Sequence, residues 1–231
     1  MREAPRLRGG SRVRLAGLFI GLVLIGAAIV ALLESGWGLA PWDVFHLGVA
    51  AHSALTIGTA SIVVGLLVLA LAWALGQPPG FGTVANAIVI GLVVEVLRRL
   101  PWVRGLGSAG LGVRAGILVL GVGLFGLGSA LYIAAGMGAG PRDSLMLVLA
   151  RRTRLRIAIV RAALETAALA TGWSLGGTVG IGTVAVALLL GPTVESGFRM
   201  LVRLGMAGSA TEPVRAACAS SGNPGDGRTR P

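Results

Sequence analysis

Two aspartates 100 positions apart, Asp43 and Asp143, close the same pattern: Gly36-Trp-Gly38-Leu-Ala-Pro41-Trp-Asp43 and Gly136-Met-Gly138-Ala-Gly-Pro141-Arg-Asp143. A carboxylate two residues after a proline falls in the first turn of a helix, where the helix dipole favours negative charge. Paired acids of this kind suit a cation, a proton or an amine-bearing solute. His46 follows Asp43 by three residues and shares its helix face, so it can relay a proton or touch a ligand. Its counterpart is Met146, which makes a lone hydrogen-bonded histidine the plainer reading.

Three further acids carry a charge into apolar sequence. Glu95 and Glu195 form a symmetric pair at the same spacing, yet each stands four residues before an arginine, Arg99 or Arg199, so an ion pair on one helix face also explains them. Glu165 lies well inside the apolar run 157–175, one turn after Arg161, and its counterpart is Gly65. An ionisable residue inside a membrane is costly and points to function, although an Arg161–Glu165 pair can satisfy itself. No nucleotide loop, zinc-binding helix or nucleophile–base set appears, and Cys218 is the only cysteine. The sequence therefore gives no catalytic residue, no metal site and no cofactor, and an enzyme is not expected.

The elements that must position these residues are membrane helices. Of 231 residues 55% are hydrophobic and 13% charged, and the mean hydropathy is +0.85, which makes a lipid bilayer the natural surroundings. The net charge of +11 sits in short arginine clusters between apolar runs. That placement orients membrane helices and argues against nucleic acid as a partner. Apolar runs cover 15–33, 56–76 and 83–97, then 115–135, 157–175 and 181–198. Trp73-Ala-Leu-Gly76 recurs as Trp173-Ser-Leu-Gly176, and Gly82-Thr-Val-Ala85 as Gly182-Thr-Val-Ala185, in the same ungapped register. The organisation read from this is a basic N-terminus at 1–14, a membrane repeat at 15–99, a linker at 100–114, a second repeat at 115–203 and a disordered tail at 204–231.

Segments 36–53 and 136–150 lie between the first and second runs of each repeat. From Pro41 to Ser53 a helix spans only about 20 Å, short of a hydrocarbon core of about 30 Å. The glycines before it suit an extended entry, so each motif is expected to be a broken helix, the equal alternative being that Gly-Pro-Asp simply starts a short helix near the outer interface with the aspartate as a capping charge. Such backbone survives at membrane depth only when buried in protein or lining a wet cavity. If the motif segments cross the membrane, every arginine cluster falls on the cytoplasmic side. The expected fold is an all-α polytopic bundle of two direct, parallel repeats with about eight membrane segments and both termini cytoplasmic. A six-helix inverted arrangement is the alternative.

Gly36-Trp-Gly-Leu-Ala-Pro-Trp-Asp-Val-Phe-His46, Thr56-Ile-Gly-Thr59, Gly82-Thr83-Val84 and Gly136-Met-Gly-Ala-Gly-Pro-Arg-Asp143 together resemble the YczE-like membrane proteins, relatives of the YitT group, over about residues 13–203. The resemblance implies an integral protein of the bacterial inner membrane and supplies no catalytic residues. The expected function is that of a transporter or channel for a small solute or cation, with a site at the two breaks. A scaffold for a partner complex is the competing class, and a homo-oligomer is left open.

Overall fold

The computed structural model describes residues 5–208; of the tail expected at 204–231, residues 209–231 lie outside them, whereas Ala207–Gly208 form a strand paired with Arg6–Leu7, so the tail's first residues are not disordered. Among the described residues the chain is all helix apart from a two-residue strand pair. The elements are β1 (Arg6–Leu7), α1 (Ser11–Ser35), α2 (Pro41–Ala51), α3 (Ile57–Ala74) and α4 (Phe81–Arg99). A short α5 (Pro101–Gly105) and a 3-10 turn (Leu106–Ser108) lead to α6 (Leu111–Ala135), α7 (Pro141–Thr153), α8 (Ile157–Ser174), α9 (Ile181–Arg203) and β2 (Ala207–Gly208). Lengths recur in order, with 25 residues in both α1 and α6 and 18 in both α3 and α8. Five helices, α1, α3, α4, α6 and α9, are long and apolar enough to cross a bilayer.

The core is the crossing of α1 and α6. A Cβ on Gly21 would stand 2.7 Å from the Gly128 carbonyl oxygen, and one on Gly128 would stand 2.8 Å from the Gly21 carbonyl oxygen, so backbone lies on backbone. Toward one end Gly121 meets Leu32 and Ala28. Numbers rise along α1 as they fall along α6, which makes the helices antiparallel.

Two arginines fix this orientation reciprocally. Arg14 Nε donates to the Ala135 carbonyl at 2.8 Å and its Nη2 to that of Gly136 at 2.8 Å. Arg114 Nε donates to the Ser35 carbonyl at 2.8 Å. Each sits in the first turns of one central helix and satisfies the orphan C-terminal carbonyls of the other, where positive charge also suits the dipole.

The outer helices follow their central neighbours. Gly26 of α1 packs on Val93 of α4, and Glu34 lies 3.9 Å from Arg98, so α4 runs parallel to α1. Gly126 and Gly197 make the matching seam of α6 with α9 through Thr193 and Ala130. Strands β1 and β2 pair Arg6 with Gly208, which brings both described ends of the chain to one end of the bundle.

These contacts correct the expected parallel arrangement of the repeats. Parallel repeats joined by a pseudo-axis along the membrane normal cannot place Arg14 on Gly136 and Arg114 on Ser35. The arginine cluster at 98–114, which includes the 100–114 linker, lies at the end opposite the two strands. Its arginines have local duties: Arg98 pairs with Glu34, Arg99 with Glu95 at 3.2 Å, and Arg104 Nε donates to the Arg98 carbonyl at 2.6 Å.

Candidate solute site at the paired helix breaks

Each motif folds as an extended entry into a short helix. Gly36 and Gly136 end α1 and α6 in the left-handed conformation, at φ 68° and 60°. Gly38 and Gly138 are also at positive φ, 109° and 136°, which a side chain would strain. Pro41 and Pro141 then occupy the first helical position of α2 and α7. The short helices span 11 and 13 residues.

The entries are held crosswise by the other half of the chain. Gly182 N donates to the Trp37 carbonyl at 2.6 Å, and Gly82 N donates to that of Met137 at 2.9 Å. Gly38 thus lies on the start of α9 and Gly138 on the start of α4. These helix starts have free N–H groups, and the extended backbone supplies their acceptors. The Tyr132 hydroxyl donates to the Gly138 carbonyl at 3.0 Å. From Gly140, beside Asn86 inside the bundle, α7 runs outward until Arg152 Nη2 meets the Leu75 carbonyl at 2.9 Å and Arg151 meets Gln77.

The first turns of α2 and α7 meet. Asp43, 1% exposed, has Arg142 Nη2 at 3.4 Å and His46 Nδ1 at 3.5 Å, both on Oδ1. Its Oδ2 is buried and, among the described residues, has no hydrogen-bond partner. The Arg142 guanidinium also lies 5.2 Å from the centre of the Trp42 ring. Residues 42 and 142 hold the same place in the motif, so the two breaks touch through counterparts. Arg142 carries the contact, yet its type differs from Trp42 and the repeat comparison alone passes over it. The signal was its place directly before Asp143.

The predicted acids divide. Asp143 is exposed on α7 and, among the described residues, has no ion pair; Arg161, Arg142 and Glu165 are the charges that act on it. Arg161 and Glu165 pair at 2.9 Å with side chains 57% and 40% exposed. Asp43, His46, Arg142, Asp143, Arg161 and Glu165 therefore form one region across α2, α7 and α8. Glu95 and Glu195 stand apart from it. Glu95 accepts from the Thr56 hydroxyl and from Arg99, and Glu195 pairs with Arg199 at 2.7 Å.

No solved structure matches the chain. It is 32% identical to the uncharacterized membrane protein YczE of Bacillus subtilis over 183 residues, 75% of this chain and 80% of that one. It is also 33% identical to an uncharacterized protein of Haemophilus influenzae over 189 residues, covering 81% and 84%. The uncharacterized protein YyaS of Bacillus subtilis is 24% identical over 179 residues. With a match over residues 12–197, the chain belongs to DUF6198, a family of unknown function, and is a YczE-like membrane protein.

Proposed function

We propose that the chain is a transporter-like protein of the cytoplasmic membrane, built from two inverted repeats. In this reading α1, α3 and α4 cross in the first half and α6, α8 and α9 in the second. Helices α2 and α7 enter the membrane and return without crossing. An odd number of crossings per repeat turns the second copy over, which is what the antiparallel α1 and α6 require. Helix α8 has the length of α3, and its Arg161 and Glu165 neutralise each other within the span. Arginines 6, 8, 12, 14, 151, 152, 154, 156, 199 and 203 would then share one face of the membrane, against 98, 99, 104 and 114 on the other. That bias supports cytoplasmic termini.

The carrying observation is the meeting of two half-helix starts at Asp43 and Arg142. Broken helices that converge from two inverted repeats are a recurrent construction for solute sites. Charges within the region nearly cancel: Arg142 answers Asp43, and Arg161 answers Glu165. Asp143 is the acid left over. A small monovalent cation or an amine-bearing solute fits that balance, with Asp143 as its contact and Arg142 and Asp43 at its side.

Flux into proteoliposomes tests this directly. Over a panel of monovalent cations and small amines, the wild type is expected to move at least one solute. Asp143→Asn should lower that flux at least tenfold, and Asp43→Asn should lower it as well. Absence of flux across the panel, together with an Asp43→Asn/Asp143→Asn double variant that still complements a deletion strain, would favour a scaffold instead.

A further inference from the structure

The two halves of the chain are not folded alike, and the difference lies in one seam. In the first half α3 packs along α4. Gly58 sits on the Gly91 carbonyl, where a Cβ would be 2.6 Å away; Gly91 lies against Ile62; and Gly65 faces Ala87 at 3.4 Å. Gly58, Ala87 and Gly91 are all buried. Among the described residues no comparable seam joins α8 to α9. Ala158, Ala187 and Gly191, the counterparts, are exposed, and a Cβ on Gly191 would meet nothing within 4 Å.

The open side is where the unexplained charges sit. Glu165 is the counterpart of Gly65, the residue that faces α4 in the closed half, so it occupies the α8 position that would face α9. Arg161 precedes it by one turn, and both side chains are substantially exposed. Exposed ions at mid-span are costly against lipid and acceptable in a wet cleft. Asp143, also exposed, is acted on by both of them.

We infer that the space between α8 and α9 is the solute's open entrance to Asp143, and that it closes when the α3–α4 seam opens. The inference rests on the transport reading and adds its route. Inverted repeats make the two seams equivalent in kind, so each half has two arrangements, and opposite choices in the two halves face the site to opposite sides of the membrane. The closed seam carries a latch, the Thr56 hydroxyl on Glu95. Its counterparts are Arg156 and Glu195, one exposed at the α8 start and the other, among the described residues, paired along its own helix with Arg199. Closure brings Arg156 to Glu195 and Ala158 toward Gly191, with the helices held farther apart than α3 and α4 by the Ala158 methyl group, since a Cβ at the counterpart Gly58 would lie 2.6 Å from the Gly91 carbonyl. Helix α2 travels with α8, because Gly48 and Gly172 lock them backbone to backbone, where a Cβ on Gly48 would be 2.7 Å from the Gly172 carbonyl. The motion therefore also works on the Asp43–Arg142 contact.

Cysteine pairs test this in liposomes, in a Cys218→Ser background. Arg156→Cys/Glu195→Cys is expected to cross-link under mild oxidation although those positions belong to an open seam here. Thr56→Cys/Glu95→Cys should cross-link as well. In the four-cysteine protein the two bonds should not occur in the same chain. No 156–195 cross-link, or both bonds in one chain, would overturn the inference. Spin labels at the exposed Ile159 and Leu188 leave the seam residues intact and give a second reading: two distance populations are expected, and a single one contradicts the motion. Exchange between seams without flux of any solute would remove the transport reading alone. Flux without exchange would remove only this inference.

Discussion

Gly21→Leu is expected to leave little folded protein, and Gly128→Leu to behave alike. The Cβ at either position lands within 2.8 Å of a carbonyl oxygen on the other central helix, and at Gly21 the Tyr132 amide nitrogen is also 2.7 Å away. These neighbours are backbone atoms in the middle of helices, so no side chain can turn aside. Overpacking of this kind costs roughly 1–3 kcal/mol where neighbours can yield, and more where they cannot. Separating α1 from α6 also pulls Arg14 and Arg114 from the helix-end carbonyls they satisfy at the two ends of the bundle. Gly123→Leu is the control, since its Cβ meets nothing within 4 Å. It should melt in detergent at or slightly above the wild-type temperature, because leucine is a better helix former than glycine, by somewhat less than the roughly 0.8–1 kcal/mol that separates alanine from glycine. A Gly21→Leu protein that melts with the control would show that the central crossing is not close.

Gly172→Leu should have the second-largest effect and a different signature. Gly172 lies directly under the first turns of α2, with a Cβ 2.5 Å from Phe45 Cα and 2.6 Å from the Val44 carbonyl carbon. The side chain cannot fit unless α2 lifts from α8, and Asp43 sits one residue before that contact. The helix is short and has few other supports, so displacing it should lower the melting temperature by a few degrees, corresponding to about 1–3 kcal/mol. Solute flux should fall far more, to background, because Asp43 leaves Arg142. The equivalent position in the first half is Ala72, which packs with Leu145 and Val148 of α7. Ala72→Gly removes a buried methyl group and puts glycine inside a helix, so its cost should be about 2 kcal/mol. Gly172→Leu flux equal to wild type would separate the site from the position of α2.

The breaks themselves were readable from the residues. Gly-x-Gly-x-x-Pro-x-Asp specifies a left-handed helix end, an extended step and a proline at the first helical position, and α2 and α7 begin at Pro41 and Pro141. These features are local, set by backbone sterics and the missing proline N–H. The direction of the repeats is not local. Counting arginines treated Arg98, Arg99, Arg104 and Arg114 as topology markers, whereas the fold spends them on Glu34, Glu95, and the carbonyls of Arg98 and Ser35. The counterpart relation of Arg14 to Arg114 was visible at the repeat spacing, but its meaning appears only once α1 and α6 lie antiparallel.

The acids show the same division. Glu195 with Arg199 follows from helix spacing, as does Arg161 with Glu165. Glu95 with Thr56 does not, because 39 residues separate the partners and the contact depends on how α3 meets α4. Gly65 of α3 and Glu165 of α8 are counterparts of different type at the repeat spacing. In the fold they are the same position on a closed seam and on an open one.

The inverted arrangement is tested most directly by single cysteines at Pro78 and Trp102, both exposed, placed in a Cys218→Ser background and labelled in intact cells with a membrane-impermeant maleimide. Position 102, on the linker opposite the paired strands, should be labelled from outside. Position 78, at the end shared with those strands, should label only after the membrane is opened. Labelling of position 102 only from the cytoplasmic side, together with external labelling of position 78, would contradict the inverted fold and restore parallel repeats.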